Sequence, residues 1–329
     1  MTHIERVSAV LAGQRPDHPP VSFWHHFPPE AACGSAGKEA HLQHLSRYDL
    51  DFLKIMNDND YPAAQPFRTV DDLRNVPVLR GDESSYAAQL ELIGSLAREL
   101  SQRVHLVTTV FNAWAVLRRL VVPFVERRIH KPPTLQRAPT NADLRLADLL
   151  REDRSAVGMA LDAIAMSQAN FARRCIEAGA DGIFLSVRDD WVREAAGDPS
   201  AYDELVRTGD GQIVSASRNG RFNLLHVCGA PADFRAFADY PVQVINWADR
   251  VDGPPVRDVA GQIRPVPCGG VDNLRTLPQG TPDDVKSEVR DAIQQAGDHP
   301  LIVAPGCTYD ADLVPPANLD AIVQAARRE

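Results

Sequence analysis

The chain has 329 residues, 44% hydrophobic and 24% charged, enough to bury the core of one large domain or two ordinary ones. A net charge of −9 without any basic run or stripe argues against an electrostatic partnership with nucleic acid. No apolar stretch approaches the roughly 18 residues of a membrane span.

The opening "MTHIERVSAVLAGQRPD" reads as an amphipathic helix with interspersed charges rather than a signal peptide. Apolar strand-like runs then follow at 21–24, 51–56 and 104–110, with a helical pattern at 86–102. Residues 111–150, rich in proline and arginine, read as an insertion or lid over one end of the domain. The clusters "VERRIH" and "ARRC" read as solvated faces. Beyond them, helical patterns at 155–179, 199–208, 231–239, 281–297 and 316–328 alternate with strand runs at 182–187, 222–227, 242–247, 264–270 and 301–306. The helix at 281–297 is the clearest, with Thr281 as N-cap, Pro282 in the first turn and Gly297 as its stop.

Strand then helix, repeated about eight times, predicts parallel strands with helical crossovers. Eight units suggest a single (β/α)8 TIM barrel over 1–329, an α/β fold with its active site at the C-terminal ends of the strands. An open doubly wound sheet is the alternative, weakened because no glycine-rich phosphate loop follows a strand. Five scattered cysteines, Cys33, Cys175, Cys228, Cys268 and Cys307, look like reduced thiols of a cytoplasmic protein rather than a disulfide framework.

The strand ends present His25 and His26, Asn57 and Asp58, Arg188 and Asp189, His226 and Cys228, Asn246 and Asp249, Gly270 and Asp272, and Cys307. In a strand, residues two apart share a side, so His226 and Cys228 converge on one point. An imidazole and a thiolate suit zinc, which in catalytic sites takes three protein ligands and leaves a fourth position open. Cys307 is the candidate third ligand, led in by Pro305 and Gly306, which let the chain turn sharply. The rival reading is a buried histidine beside inert core cysteines, because His-x-Cys alone is a weak motif.

From residue 3 to about 325 the chain resembles the uroporphyrinogen decarboxylase superfamily. "IERVSAVLAGQRPDHPPVSFW" is similar to its first helix, turn and strand, "YDLDFLKIMNDNDYP" to its second strand and "AGADGIFLS" to its fourth. "GGVDNLRTLPQGTPDDVKSEVRDAI", the most specific stretch, resembles its seventh strand and following helix. The decarboxylases carry arginines in the loop after the first strand and a histidine after the last. Here these regions read "FWHHFPPE" and Cys307, which counts against porphyrinogen decarboxylation. The branch of corrinoid-dependent methyltransferases, such as methylcobalamin:coenzyme M methyltransferase, carries His-x-Cys and a distant Cys. His226, Cys228 and Cys307 match that motif as Zn2+ ligands.

That branch implies a zinc-activated thiol taking a methyl group from methylcobalamin, the corrinoid being carried by a partner protein. Coenzyme M, another thiol and tetrahydrofolate remain open as acceptors, and a homodimer is open because some members pair. Other strand-end residues have weaker candidate roles, that of Asp58 alone being suggested by the resemblance. Asp58 matches the region of a catalytic aspartate, with Asn57 beside it. Asp272 either orients His226 or a substrate group, or caps its own turn. His25 and His26 border the cavity, one pointing outward because adjacent strand residues diverge. Arg188 holds an anionic substrate tail or is solvated, and Asn246 is counted with the substrate contacts. Two rival functions are a carboxy-lyase of a small carboxylic or tetrapyrrole substrate and a non-catalytic corrinoid-binding barrel.

Overall fold

The computed structural model of the chain describes residues 1–63, 67–122, 140–188, 192–229, 234–251 and 253–328. Seven parallel strands form one sheet in sequential order: β1 Phe52–Ile55, β2 His105–Phe111, β3 Gly182–Val187, β4 Leu224–Val227, β5 Val244–Asn246, β6 Val266–Val271 and β7 Ile302–Pro305. Each is buried almost throughout, as expected of strands covered on both faces, which is why their sequences run apolar instead of alternating. The fold is therefore α/β with a curled, TIM-barrel-like parallel sheet.

The first expected strand, 21–24, does not form a regular strand. It makes isolated parallel bridges, Val21 to Val303 and His25 to Tyr309. Its other side meets the approach to β1: the Asp51 amide donates to the Val21 carbonyl at 2.9 Å, and the Ser22 hydroxyl to the Phe52 carbonyl at 2.9 Å. Two prolines, Pro19 and Pro20, lead into the segment and supply no amide hydrogens to a ladder.

Two cores result from the strand alternation. Trp24, Phe52, Met56, Val107, Phe184, Phe222, Leu224, Val244, Cys268, Ile302 and Ala304 pack together inside the curl. Val7 and Val10 of the helix His3–Leu11 join this inner cluster beside the strand beginnings. Ser8 of that helix lies 3.2 Å from Nε2 of His105, the first residue of β2, so the helix covers the N-terminal end of the sheet. The larger outer core lies between the strands and the surrounding helices.

The helices start where their caps dictate. Thr2 with Glu5, Thr140 with Asp143 and Thr281 with Asp284 each form a capping box that satisfies otherwise unpaired first-turn amides. The expected helix 281–297 is Pro282–Ala296, followed by Gly297 at φ 59°. The expected helix 155–179 is the later part of Asn141–Glu177, which has a non-helical residue at Asp153. Helix Gly34–Tyr48 falls where no element was expected. The described flanks of the expected insertion are core helices. In Ala113–Leu120, Trp114 and Leu117 are fully buried, and Arg118 pairs with buried Asp143 at 2.6 Å. Residues 123–139 of that insertion lie outside the described residues, as do Asp189 and part of the expected helix 231–239. No helix among the described residues is long and apolar enough to cross a membrane.

Candidate metal centre

His226 sits in β4, register-paired with Ser186 of β3 and Asn246 of β5. The Cys228 amide donates to the Val187 carbonyl at 2.9 Å, which carries the ladder past the end of β4. Cys228 thereby keeps the two-residue alternation with His226. Gly229, at φ 90°, then turns the chain in a backbone region that other residues avoid. Cys307 follows the other strand end, after Gly306 donates its amide to Val271 at 3.1 Å. Gly306 was expected for a sharp turn, but its φ is not positive. It is small because a Cβ there would lie 2.6 Å from the Ala248 Cα, so close packing and not chain reversal fixes the position of Cys307.

The ligand atoms of His226, Cys228 and Cys307 all lie within 4.8 Å of one another. The Cys307 Sγ is 3.4 Å from His226 Nε2. Tetrahedral zinc with bonds of about 2.3 Å to sulfur and about 2.0 Å to nitrogen places sulfur and nitrogen ligands about 3.5 Å apart. The donor set suits such an ion, and the Cys307–His226 separation matches that spacing.

The imidazole is held in place by Asn246. The Asn246 Nδ2 donates to the carbonyls of Cys268 at 2.8 Å and Pro305 at 3.1 Å, which fixes its Oδ1 toward His226 Nδ1, 2.5 Å away. An amide oxygen accepts, so Nδ1 carries the hydrogen and Nε2 keeps its lone pair facing Cys307. Asn246, counted among substrate contacts from the sequence, is fully buried with its carboxamide occupied by these three partners. It positions the histidine instead.

The two thiols differ. Cys307 is lowered to about 6, chiefly by the hydrogen bond from Cys228, with Thr308 and the Lys54 charge adding to it against burial. Cys228 is pushed up to about 12 as the donor in that bond and by burial. One proton is thus shared by the pair near neutral pH.

Among the described residues the cations Lys54, Arg119 and Arg188 reach this end of the sheet, and only Arg188 was expected there. Lys54 occupies the middle of β1, and burial lowers it to about 8 although Asp58, Cys307 and Cys228 act in the opposite sense. Arg119 stacks on Phe111, its guanidinium carbon 4.1 Å from the ring centre, and borders a small cavity with Asn57, Tyr61, Tyr86 and Gln168. Arg188, two residues beyond Ser186, bears electrostatically on both Cys228 and Arg119. A lysine inside the apolar run "FLKIM" was the available signal for Lys54. Arg119 had none, because its helix was read as an insertion.

The other expected residues separate. His26 Nδ1 lies 2.5 Å from Asp58 Oδ1. Burial works to raise the Asp58 carboxyl, but the His26 bond and the charges of Lys54 and Arg119 hold it below the ordinary range. His25 points away, as the divergence of adjacent residues requires. Its ring packs on Phe27, His44 and Tyr309, and burial lowers its pKa. Asn57 donates to the Thr109 carbonyl at 3.1 Å and accepts from Asn59, so it braces its own loop. Asp272 does not orient His226. It accepts from the amides of Leu274 and Arg275 and from the Arg275 side chain at 2.7 Å, capping its turn. Cys268 and Cys175 are fully buried, and burial raises both thiols.

A family profile, Uroporphyrinogen decarboxylase (URO-D), matches residues 140–329, more than half of the chain and the part that holds all three metal-type ligands. The chain belongs to the uroporphyrinogen decarboxylase family. This uroporphyrinogen decarboxylase family protein is also similar in structure to a "methyltransferase from Methanosarcina mazei", at 18% identity and TM-score 0.76, covering 100% of this chain and 99% of that one. A putative vitamin-B12 independent methionine synthase from Listeria monocytogenes aligns at 12% identity and TM-score 0.45, over 84% of this chain and 71% of that one. No protein of curated function matches in sequence.

Proposed function

We propose that this family member is a zinc-dependent methyltransferase that moves a methyl group from a corrinoid, carried by a partner protein, to a thiol. The observation that carries the reading is the lone pair of His226 Nε2, fixed by Asn246 and facing Cys307, with Cys228 completing a set of three ligand atoms within 4.8 Å. Two thiolates and one neutral imidazole are the donors that zinc takes at a site with an open fourth position. Bound there, zinc(II) would supply the Lewis acidity that ionises an incoming thiol near neutral pH, making it a nucleophile for the methyl group. The structural likeness to the Methanosarcina mazei methyltransferase supports this direction.

The chain's own residues supply the rest. Residues 20–25 are read as the eighth stave of a closed barrel, since they bond to both β7 and the approach to β1. The centre then lies in the mouth at the C-terminal strand ends, where His26, Asp58, Arg119 and Arg188 border the approach of the acceptor. Cys307 and Cys228 have to stay reduced to serve as ligands, which suits a reducing compartment such as the cytoplasm.

A carboxy-lyase is the second reading, favoured by Asp58 standing among the cations Lys54 and Arg119. The deciding experiment measures zinc per chain in protein purified without added metal, for the wild type and Cys307→Ser. About one zinc in the wild type, lost in the variant, supports the reading, and the next assay is demethylation of methylcobalamin by thiols. A well-folded wild type that takes up no zinc refutes it and turns attention to the carboxy-lyase.

A further inference from the structure

Lys54 is unusual for where its charge sits. It shares a face with Phe52 of β1 and with Met56 just beyond it, both members of the inner cluster, and is itself only 5% exposed. Its Nζ lies 3.0 Å from the Met56 Sδ, 4.4 Å from the centre of the Phe184 ring and 5.5 Å from that of Trp24. A thioether and two ring faces solvate an ammonium weakly, and a buried charge is costly unless an opposite charge balances it. Among the described residues no carboxylate lies within ion-pair distance of Lys54. The anionic groups whose charges reach it are Asp58, Cys228 and Cys307, and Asp58 is shared with the charge of Arg119 and bonded to His26.

The Phe184 ring on which Lys54 packs lies 5.1 Å, centroid to centroid, from the His226 imidazole, and charge arithmetic at that neighbouring centre gives this lysine a task. A divalent ion with two thiolates and a neutral imidazole sums to zero. A neutral fourth ligand would leave Lys54 only the carboxylate it shares with Arg119, whereas an anionic one brings the centre to −1 and matches it. We infer that Lys54 is the counter-charge that makes the His226–Cys228–Cys307 centre select an anionic fourth ligand, a thiolate, over a neutral donor. This rests on the metal reading above and deepens it, because it assigns the charge class of the acceptor to one residue. Lys54 acts through the centre and is a positioning residue.

The test replaces zinc by cobalt(II), whose visible spectrum reports ligand binding without turnover. Wild type and Lys54→Met, a replacement of similar shape for an aromatic-lined site, are each titrated with 2-mercaptoethanol as the thiol probe and imidazole as the neutral probe. The expected result is an affinity for the thiol about 10- to 100-fold lower in the variant, with imidazole binding unchanged. Lys54→Gln, which keeps a polar tip without the charge, gives the same loss. Thiol affinity retained in either variant overturns the assignment, as does an equal weakening of both probes, which would make Lys54 a packing residue. Failure of wild type to take cobalt with sulfur-to-metal charge transfer is a separate outcome. It removes the metal centre and this inference with it.

Discussion

Replacing Asn246 by alanine separates the two tasks its carboxamide performs. The side chain accepts from His226 Nδ1 and donates to the main-chain carbonyls of Cys268 and Pro305, all in the protein interior. Truncation leaves the imidazole N–H without a partner, at about 1–3 kcal/mol for a buried donor, and adds a smaller cost for each carbonyl. Metal-free stability should fall by about 2–4 kcal/mol. The imidazole also loses the contact that sets its tautomer and direction, and removing such an outer partner lowers metal affinity roughly 10- to 100-fold. Stability is read from urea unfolding of the metal-free protein, and affinity from competition for zinc with a chromophoric chelator. Asn246→Asp provides the internal control. It keeps an acceptor for the histidine but no donor for the two carbonyls, so stability falls while zinc affinity stays within about threefold of wild type. Zinc affinity unchanged in Asn246→Ala, despite lost stability, would refute the positioning argument and leave Asn246 as a strut between β5, β6 and β7.

Other predictions follow from the same geometry. With Cys307 lowered to about 6 and Cys228 raised to about 12, the pair holds one proton near neutrality, so zinc displaces about one. Affinity then rises about tenfold per pH unit between roughly pH 7 and 9, and calorimetry in buffers of different ionisation heat counts the proton. Release of two would contradict the shared-proton arrangement. Gly306→Ala forces a Cβ to within 2.6 Å of the Ala248 backbone. It should cost about 1–3 kcal/mol in urea unfolding and weaken zinc binding by displacing Cys307, and a variant of wild-type stability and affinity would show that the 305–308 backbone yields freely. Asp210 is fully buried and held by Tyr202 at 2.7 Å and Tyr240 at 2.9 Å, with burial pushing it up to about 7. A folded pKa above the unfolded one favours the native state below about pH 4, and that advantage is lost as pH climbs toward 7. Asp210→Asn removes this dependence. Its stability relative to wild type should therefore grow over that window by at most on the order of 4 kcal/mol, and parallel stability curves would exclude the neutral acid.

Local pattern and chemistry in the sequence went a long way here. Runs buried on both faces are apolar whatever their partners, so seven of the eight expected strands are regular strands near their expected places. Capping boxes are local, which is why the start of the helix Pro282–Ala296 was legible from Thr281 and its neighbours. His226 and Cys228 were legible because strand alternation is local too, and Cys307 because strand ends share one side of such a sheet. Partners across strands were not legible. That Asn246 turns its oxygen to His226 depends on the β4–β5 register and on two carbonyls from β6 and β7, distances no single segment encodes. Asp272 was expected either to orient His226 or a substrate group or to cap its own turn, and the turn occupies it. Residues 21–24 have a strand's composition, yet whether they pair regularly is decided by β7 and β1 on either side. Lys54 interrupts an apolar run in plain sight, but a lysine's meaning is set by what surrounds its ammonium. Two aromatic rings, a thioether and the thiol pair are brought there by five separate stretches of chain, and only the folded structure makes them neighbours.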